Sequence, residues 1–244
     1  MSDYEQPRGK FIGVKKYILS IVAGEPQVEV ESKLLSYSIG SLAVLVIATS
    51  IAYVTILKGI VNIAAYLPLI FLAILTTVAT LFSYNHIRCH RKSMLCMNGM
   101  MVGMTIGMMI GFMVGAIIGA TNGMFLGSIA GMAVGIGLGL NTGRYSGIMG
   151  AMEGVMAGFM SGIMGAMTSI MMLRDNLVLF LYILFGIAIF LIGGLSYMLH
   201  REEGSAQKTE MQTNFLNFIA MCVLFSMILM AIMIYGPRGI LVYP

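Results

Sequence analysis

The sequence predicts an all-α membrane protein: a polytopic helical bundle of about seven transmembrane helices with glycine-zipper packing. Two features carry that prediction. Apolar residues make up 59% of the chain and charged residues only 10%, too few polar groups to cover a water-facing surface. The apolar residues also fall into runs of about 20, the length a helix needs to cross roughly 30 Å of hydrocarbon.

Taken in order, the runs are 37–57, 60–84, 97–119, 124–142, 148–172, 177–199 and 215–236. The breaks between them are Leu57-Lys58-Gly59, the polar stretch His86 to Lys92, Thr121-Asn122-Gly123, Asn141 to Arg144, Arg174-Asp175 and the charged stretch His200 to Glu210. The turn between 97–119 and 124–142 carries no charge, so this pair reads either as two full spans or as a re-entrant hairpin. Residues 1–36 form a cytoplasmic N-terminal segment, 37–236 the transmembrane domain and 237–244 a short tail. Within the first segment, residues 9–22 alternate lysines with apolar residues. They suit either a helix lying along the membrane surface or a solvated lead-in. No cleavable leader is evident, and the first span is expected to serve as an uncleaved insertion signal.

Orientation follows from the cationic residues, which stay on the cytoplasmic side. An N-in topology places Arg8, Lys10, Lys15, Lys16, Lys33, Arg88, Arg91, Lys92, Arg144, Arg201 and Lys208 inside, and only Lys58, Arg174 and Arg238 outside. The cell membrane, multi-pass with a cytoplasmic N-terminus, is the expected location. The 14 cationic against 10 acidic residues form no patch for phosphates, so nucleic acid is not expected as a partner. Three cysteines are too few for a disulfide framework. There is no Gly-x-Ser-x-Gly, phosphate loop or His-Glu-x-x-His, so no enzyme chemistry is expected.

The middle of the chain differs in kind from its flanks. Glycine recurs at every fourth position from Gly99 to Gly147, then shifts register and continues at Gly150, Gly154, Gly158 and Gly162. In lipid such small-xxx-small patterns let helix backbones approach closely. A four-residue step drifts by about 40° around a helix, so the glycines spiral slowly. Eighteen of 25 methionines lie between Met94 and Met172, while residues 2–93 contain none. Met152, Met156, Met160 and Met164 each follow a glycine by two residues, about 200° round the helix from the glycine ridge. In the third span Met100, Met104 and Met108 form one ridge and Met97, Met101, Met109 and Met113 another. A shift of 47 residues superposes Gly103 on Gly150, Gly107 on Gly154, Met109 on Met156, Phe112 on Phe159 and Gly115 on Gly162. Either an internal repeat of the third and fifth helices or low complexity produces this.

Thioethers are soft ligands that select Cu(I) over hard cations. The candidate metal-binding residues are therefore Met100, Met101, Met104, Met108, Met109, Met113, Met149, Met152, Met156, Met160 and Met164, a ladder of weak, repeated sites suited to conduction. His86, Cys89, His90 and Cys96 form a second soft cluster before the third span, or else an ordinary cationic juxtamembrane loop. Glu153 lies inside a span, where acids are costly. It reads as a charge compensating a bound cation, as a protonatable coupling site, or as an acid near enough to the helix start to reach water. Cys222 reads as core packing.

The run Met97-Asn98-Gly99-Met100-Met101-Val102-Gly103-Met104-Thr105-Ile106-Gly107-Met108-Met109, with the segment Gly158 to Met167, resembles uncharacterised Met/Gly-rich multi-pass membrane proteins of bacteria and archaea associated with copper handling. The resemblance covers roughly residues 86–172. The device is also similar to that of eukaryotic high-affinity copper transporters, with a Met-x3-Met pair on one span and Gly-x3-Gly on another. The span count differs, and no Met-rich extracellular N-terminus is present. These likenesses imply Cu(I) as the bound ion, with a copper-handling protein on the cytoplasmic side as a partner. The competing expectation is a glycine-zipper structural or channel-forming homo-oligomer in the lipid bilayer with no metal role.

Overall fold

The computed structural model describes residues 29–55, 67–90, 96–203 and 215–237, and within them every regular element is helical. The helices are α1 (Glu29–Thr55), α2 (Leu67–His90), α3 (Cys96–Asn122), α4 (Met124–Gly143), α5 (Ile148–Met171), α6 (Leu177–Glu203) and α7 (Phe215–Tyr235), with a 3-10 turn at Arg144–Ser146 between α4 and α5. Six of them, α2 to α7, are long and apolar enough to cross a membrane, where the sequence predicts seven spans. α1 is 27 residues long and holds the shorter apolar stretch Leu34–Ser50 among the described side chains. α3 and α4 each have the length of a full crossing. The interfacial helix expected at 9–22 lies outside the described residues.

Two helix ends lie beyond the sequence reading. The described part of the second helix begins at Leu67, and the predicted start near 60 lies outside the described residues. The same helix continues to His90 through the polar residues that suggested a break at 86. It does so because Asn85 and His86 are buried and satisfied: Asn85 Nδ2 donates to Leu81 O at 2.9 Å, and His86 Nε2 lies 3.2 Å from Ser196 Oγ of α6. The sixth helix likewise runs to Glu203, past the predicted break at His200.

α3 is the central helix and has two unlike faces. One carries Val102, Ile106, Ile110, Val114 and Ile118, all buried with Ile87 of α2, Leu199 of α6 and Leu229 of α7. Farther along, Met113, Ala116, Ile117 and Ala120 join Leu69 and Leu72 of α2 and Leu181 and Phe185 of α6. A third cluster ties α1 to α2 and α7 through Leu45, Ile74, Val78, Phe218 and Cys222. This half is an ordinary core of branched and aromatic side chains. The other face of α3 meets α4 and α5 through glycine.

Candidate functional site: the glycine core and its methionine face

α3, α4 and α5 pack backbone to backbone in layers that follow from the glycine spacing. The reversals pivot on Gly123 (φ 103°) and Gly147 (φ 92°), conformations that L side chains rarely adopt. Because the period is four on both sides of Gly123, the chain folds back glycine upon glycine. The layers are Gly103, Gly143 and Gly150; Gly107, Gly139 and Gly154; Gly111, Gly135 and Gly158; Gly115, Gly131 and Gly162; and Gly119, Gly127 and Ala166. A Cβ placed on Gly131 would lie 2.8 Å from the Cα atoms of both Gly115 and Gly162. One on Gly127 would stand 2.6 Å from Gly119 Cα. Real Cβ atoms do not come so close, so a methyl group at these places would force the helices apart.

The change of register between Gly147 and Gly150 is the second reversal. Two antiparallel reversals make α3 and α5 parallel, and the layers set their register at 47 residues, Gly103 against Gly150, Gly107 against Gly154 and Gly115 against Gly162. The glycine part of the 47-residue correspondence thus follows from layering alone.

Hydroxyl groups enter this core where there is room for no more than one atom beyond a methyl. Ser161 Oγ donates to Gly107 O of α3 at 3.2 Å and to Gly158 O of its own helix at 3.1 Å. Such bonds satisfy buried polar atoms in a medium without water. Ser161 is a small polar residue on the same four-residue spacing as Glu153 in α5, and nothing in the sequence pairs it with Gly107.

With glycine inward, methionine is left outward. Met149, Met152, Met156, Met160 and Met164 are between 54% and 67% exposed. α5 packs on α3, α4 and the 3-10 turn, so its far side meets no other packed helix among the described residues. Met101 and Met104 of α3 are also exposed, while Met100 and Met108 are half-buried. The ridge predicted as Met97, Met101, Met109 and Met113 does not stay together. Met97 is exposed, Met109 partly buried and Met113 fully buried in the core with Leu69 and Phe185. A four-residue spacing drifts by about 40° per step, and four such steps carry a side chain nearly to the opposite side of the helix.

Glu153 is half-buried on α5 and makes no hydrogen bond or ion pair with any described residue. His86 is 97% buried, stacked on Phe82 with ring centroids 5.9 Å apart. A cavity of about 10 Å³ beside it, lined by Ser83, Ile106 and Leu195 among others, is the size of one water molecule. The side chains of Cys89, His90 and Cys96 lie outside the described residues. Among the described residues no three His, Cys, Asp or Glu side chains gather as a metal-binding group. Comparison with protein-family models, curated proteins and solved structures finds no match to this chain.

Proposed function

We propose that this chain is a glycine-zipper membrane protein that acts as a structural or channel-forming oligomer, its copies meeting through the methionine face of α5. The outward turn of Met149, Met152, Met156, Met160 and Met164 carries this reading. Among the described residues, that face runs the length of a helix whose packing is on α3, α4 and the 3-10 turn. Methionine is flexible and polarisable, and it fills irregular contacts between packed helices well. The glycine layers supply the rigidity that presents it. No enzymatic step belongs to this reading.

The test is cross-linking in native membranes, with Cys89, Cys96 and Cys222 replaced by Ser or Ala and Met156 by Cys. Copies that meet on this face give a disulfide-linked dimer from Met156→Cys and none from a cysteine at Leu216 on α7. Equal, low yields from both positions would refute association through α5.

A second reading has its own support, the unpaired carboxylate of Glu153 beside exposed thioethers. In it, the protein binds or translocates a soft metal ion, most readily Cu(I). Met149 to Met171 covers about 33 Å along the helix, close to the hydrocarbon thickness. Facing outward, this ladder becomes a lined passage only between two copies. With a cytoplasmic N-terminus and both α1 and α2 crossing the cell membrane, the segment around His86, Cys89, His90 and Cys96 would lie on the side of a copper-handling partner.

A further inference from the structure

The exposed strip of α3 and the methionine face of α5 are neighbours, and the seam between them is not uniform. Where both helices begin, Met100 bends over the seam: its Cγ lies 3.5 Å from where a Cβ on Gly150 would be. Met104 follows one turn along α3 and is exposed. On α5, Met149, Glu153, Ala157 and Ser161 form one ridge at four-residue spacing. That ridge winds toward α3 and reaches it at Ser161, which bonds Gly107 O. Two turns earlier, Glu153 therefore stands on the α3 flank of the exposed face. Parallel helices in register at Gly103 and Gly150 keep Met100 and Met104 at the height of Met149 and Glu153.

We propose that this end of the α3–α5 seam is a binding site for one soft monovalent cation, Cu(I) or Ag(I), with the thioethers of Met100, Met104 and Met149 as ligands and the Glu153 carboxylate as its counter-charge. The inference rests on the soft-metal reading and not on the oligomer. An ionised carboxylate within a span needs a positive partner, and among the described residues it has none. A monovalent ion held by neutral sulfurs needs one negative charge for the site to be neutral in lipid. Low coordination number suits Cu(I), and thioethers discriminate against the hard cations that outnumber it. The outer ridge of Met152, Met156 and Met160 has no acid on its own line and is left as a lipid-facing or copy-facing surface.

The experiment is titration of the full-length protein in detergent with Cu(I) against a competing chelator, repeated with Ag(I). Four forms are compared: wild type, Met100→Leu/Met104→Leu, Glu153→Gln, and Met152→Leu/Met156→Leu/Met160→Leu. Thermal unfolding of each form establishes that it is folded, which the similar volume of leucine favours. Wild type and the outer-ridge variant are expected to bind alike, and the two seam variants roughly 10- to 100-fold more weakly. Loss in the outer-ridge variant with the seam variants unchanged overturns the placement and leaves the soft-metal reading standing. Undiminished binding in all variants overturns the site. No binding in any form overturns the site and the soft-metal reading together.

Discussion

The glycine layers make a sharp stability prediction at Gly131. Its built Cβ lies 2.8 Å from Gly115 Cα, 2.8 Å from Gly162 Cα and 2.9 Å from Gly111 O, all backbone atoms and on two different helices. Ordinary carbon contacts need about 3.5 to 4.0 Å, so α3 and α5 must each retreat by about 0.7 to 1.2 Å. A gap of that size forfeits a quarter to a half of the dispersion energy of each facing pair, at about 0.1–0.2 kcal/mol per pair over the atoms of the adjoining layers. Added to the usual cost of overpacking, Gly131→Ala should destabilise by about 2–3 kcal/mol. Gly137, on the exposed side of the same helix, is the internal control, because a Cβ there meets nothing within 4 Å. Gly137→Ala should be neutral or slightly stabilising. The assay is reversible unfolding in mixed micelles, with each ΔΔG read against wild type. If Gly131→Ala and Gly137→Ala differ by less than about 0.5 kcal/mol, the layered backbone contact is wrong.

Three further outcomes follow from named contacts. Ser161→Ala removes the Oγ donor shared by Gly107 O and Gly158 O and should cost about 0.5–1.5 kcal/mol in the same unfolding assay, with no change in helix content by circular dichroism. Ser196→Ala removes the hydroxyl 3.2 Å from buried His86 Nε2 and should cost about 1–3 kcal/mol; Ser196→Thr, which keeps the hydroxyl, should recover part of it. Among the described residues Asn122 Nδ2 is buried without a partner at the α3–α4 reversal, so Asn122→Ala should change the unfolding free energy by less than about 1 kcal/mol, the lost packing offsetting the relief of an unsatisfied donor.

How far the fold was legible depends on whether a pattern is local. Helix-length apolar runs and turn residues are local, and they give the α3, α4, α5 and α7 boundaries to within a few residues. The glycine period is local as well, and its change of phase after Gly147 marks a reversal that a periodicity alone does not name. What depends on a distant partner was not legible. His86 looks like a loop residue until Ser196, 110 positions away, is set beside it. Met113 resembles its neighbours in sequence, yet it alone among the candidate methionines is buried, because drift around α3 delivers it to α2 and α6. The first apolar run is a 27-residue helix, Glu29–Thr55, joined to α2 and α7 by the third core cluster.

The layered core also narrows what the methionines are for. On α5, where glycine at every fourth position faces inward, the residues two places on face outward, whereas on α3 the same offset buries Met113 and Ile117 against α2 and α6. Lipid asks only that outward residues be apolar, and α6 meets it with Leu179, Ile183 and Phe190, α7 with Leu216 and Leu224 beside Met221 and Met227. Packing against lipid therefore does not choose methionine over leucine, and nor does the glycine core, which the methionine side chains turn away from. The choice must come from something that touches the outward face and distinguishes a thioether from a branched alkane. A second copy with an irregular surface is one such thing, and a soft cation is another. Leucine substitution separates them: Met152→Leu, Met156→Leu and Met160→Leu together preserve apolarity, so a purely packed interface should lose at most a few-fold in association, whereas a metal passage should lose conduction outright. Flux of Ag(I) into liposomes, measured beside the cross-linking yield, reads both at once.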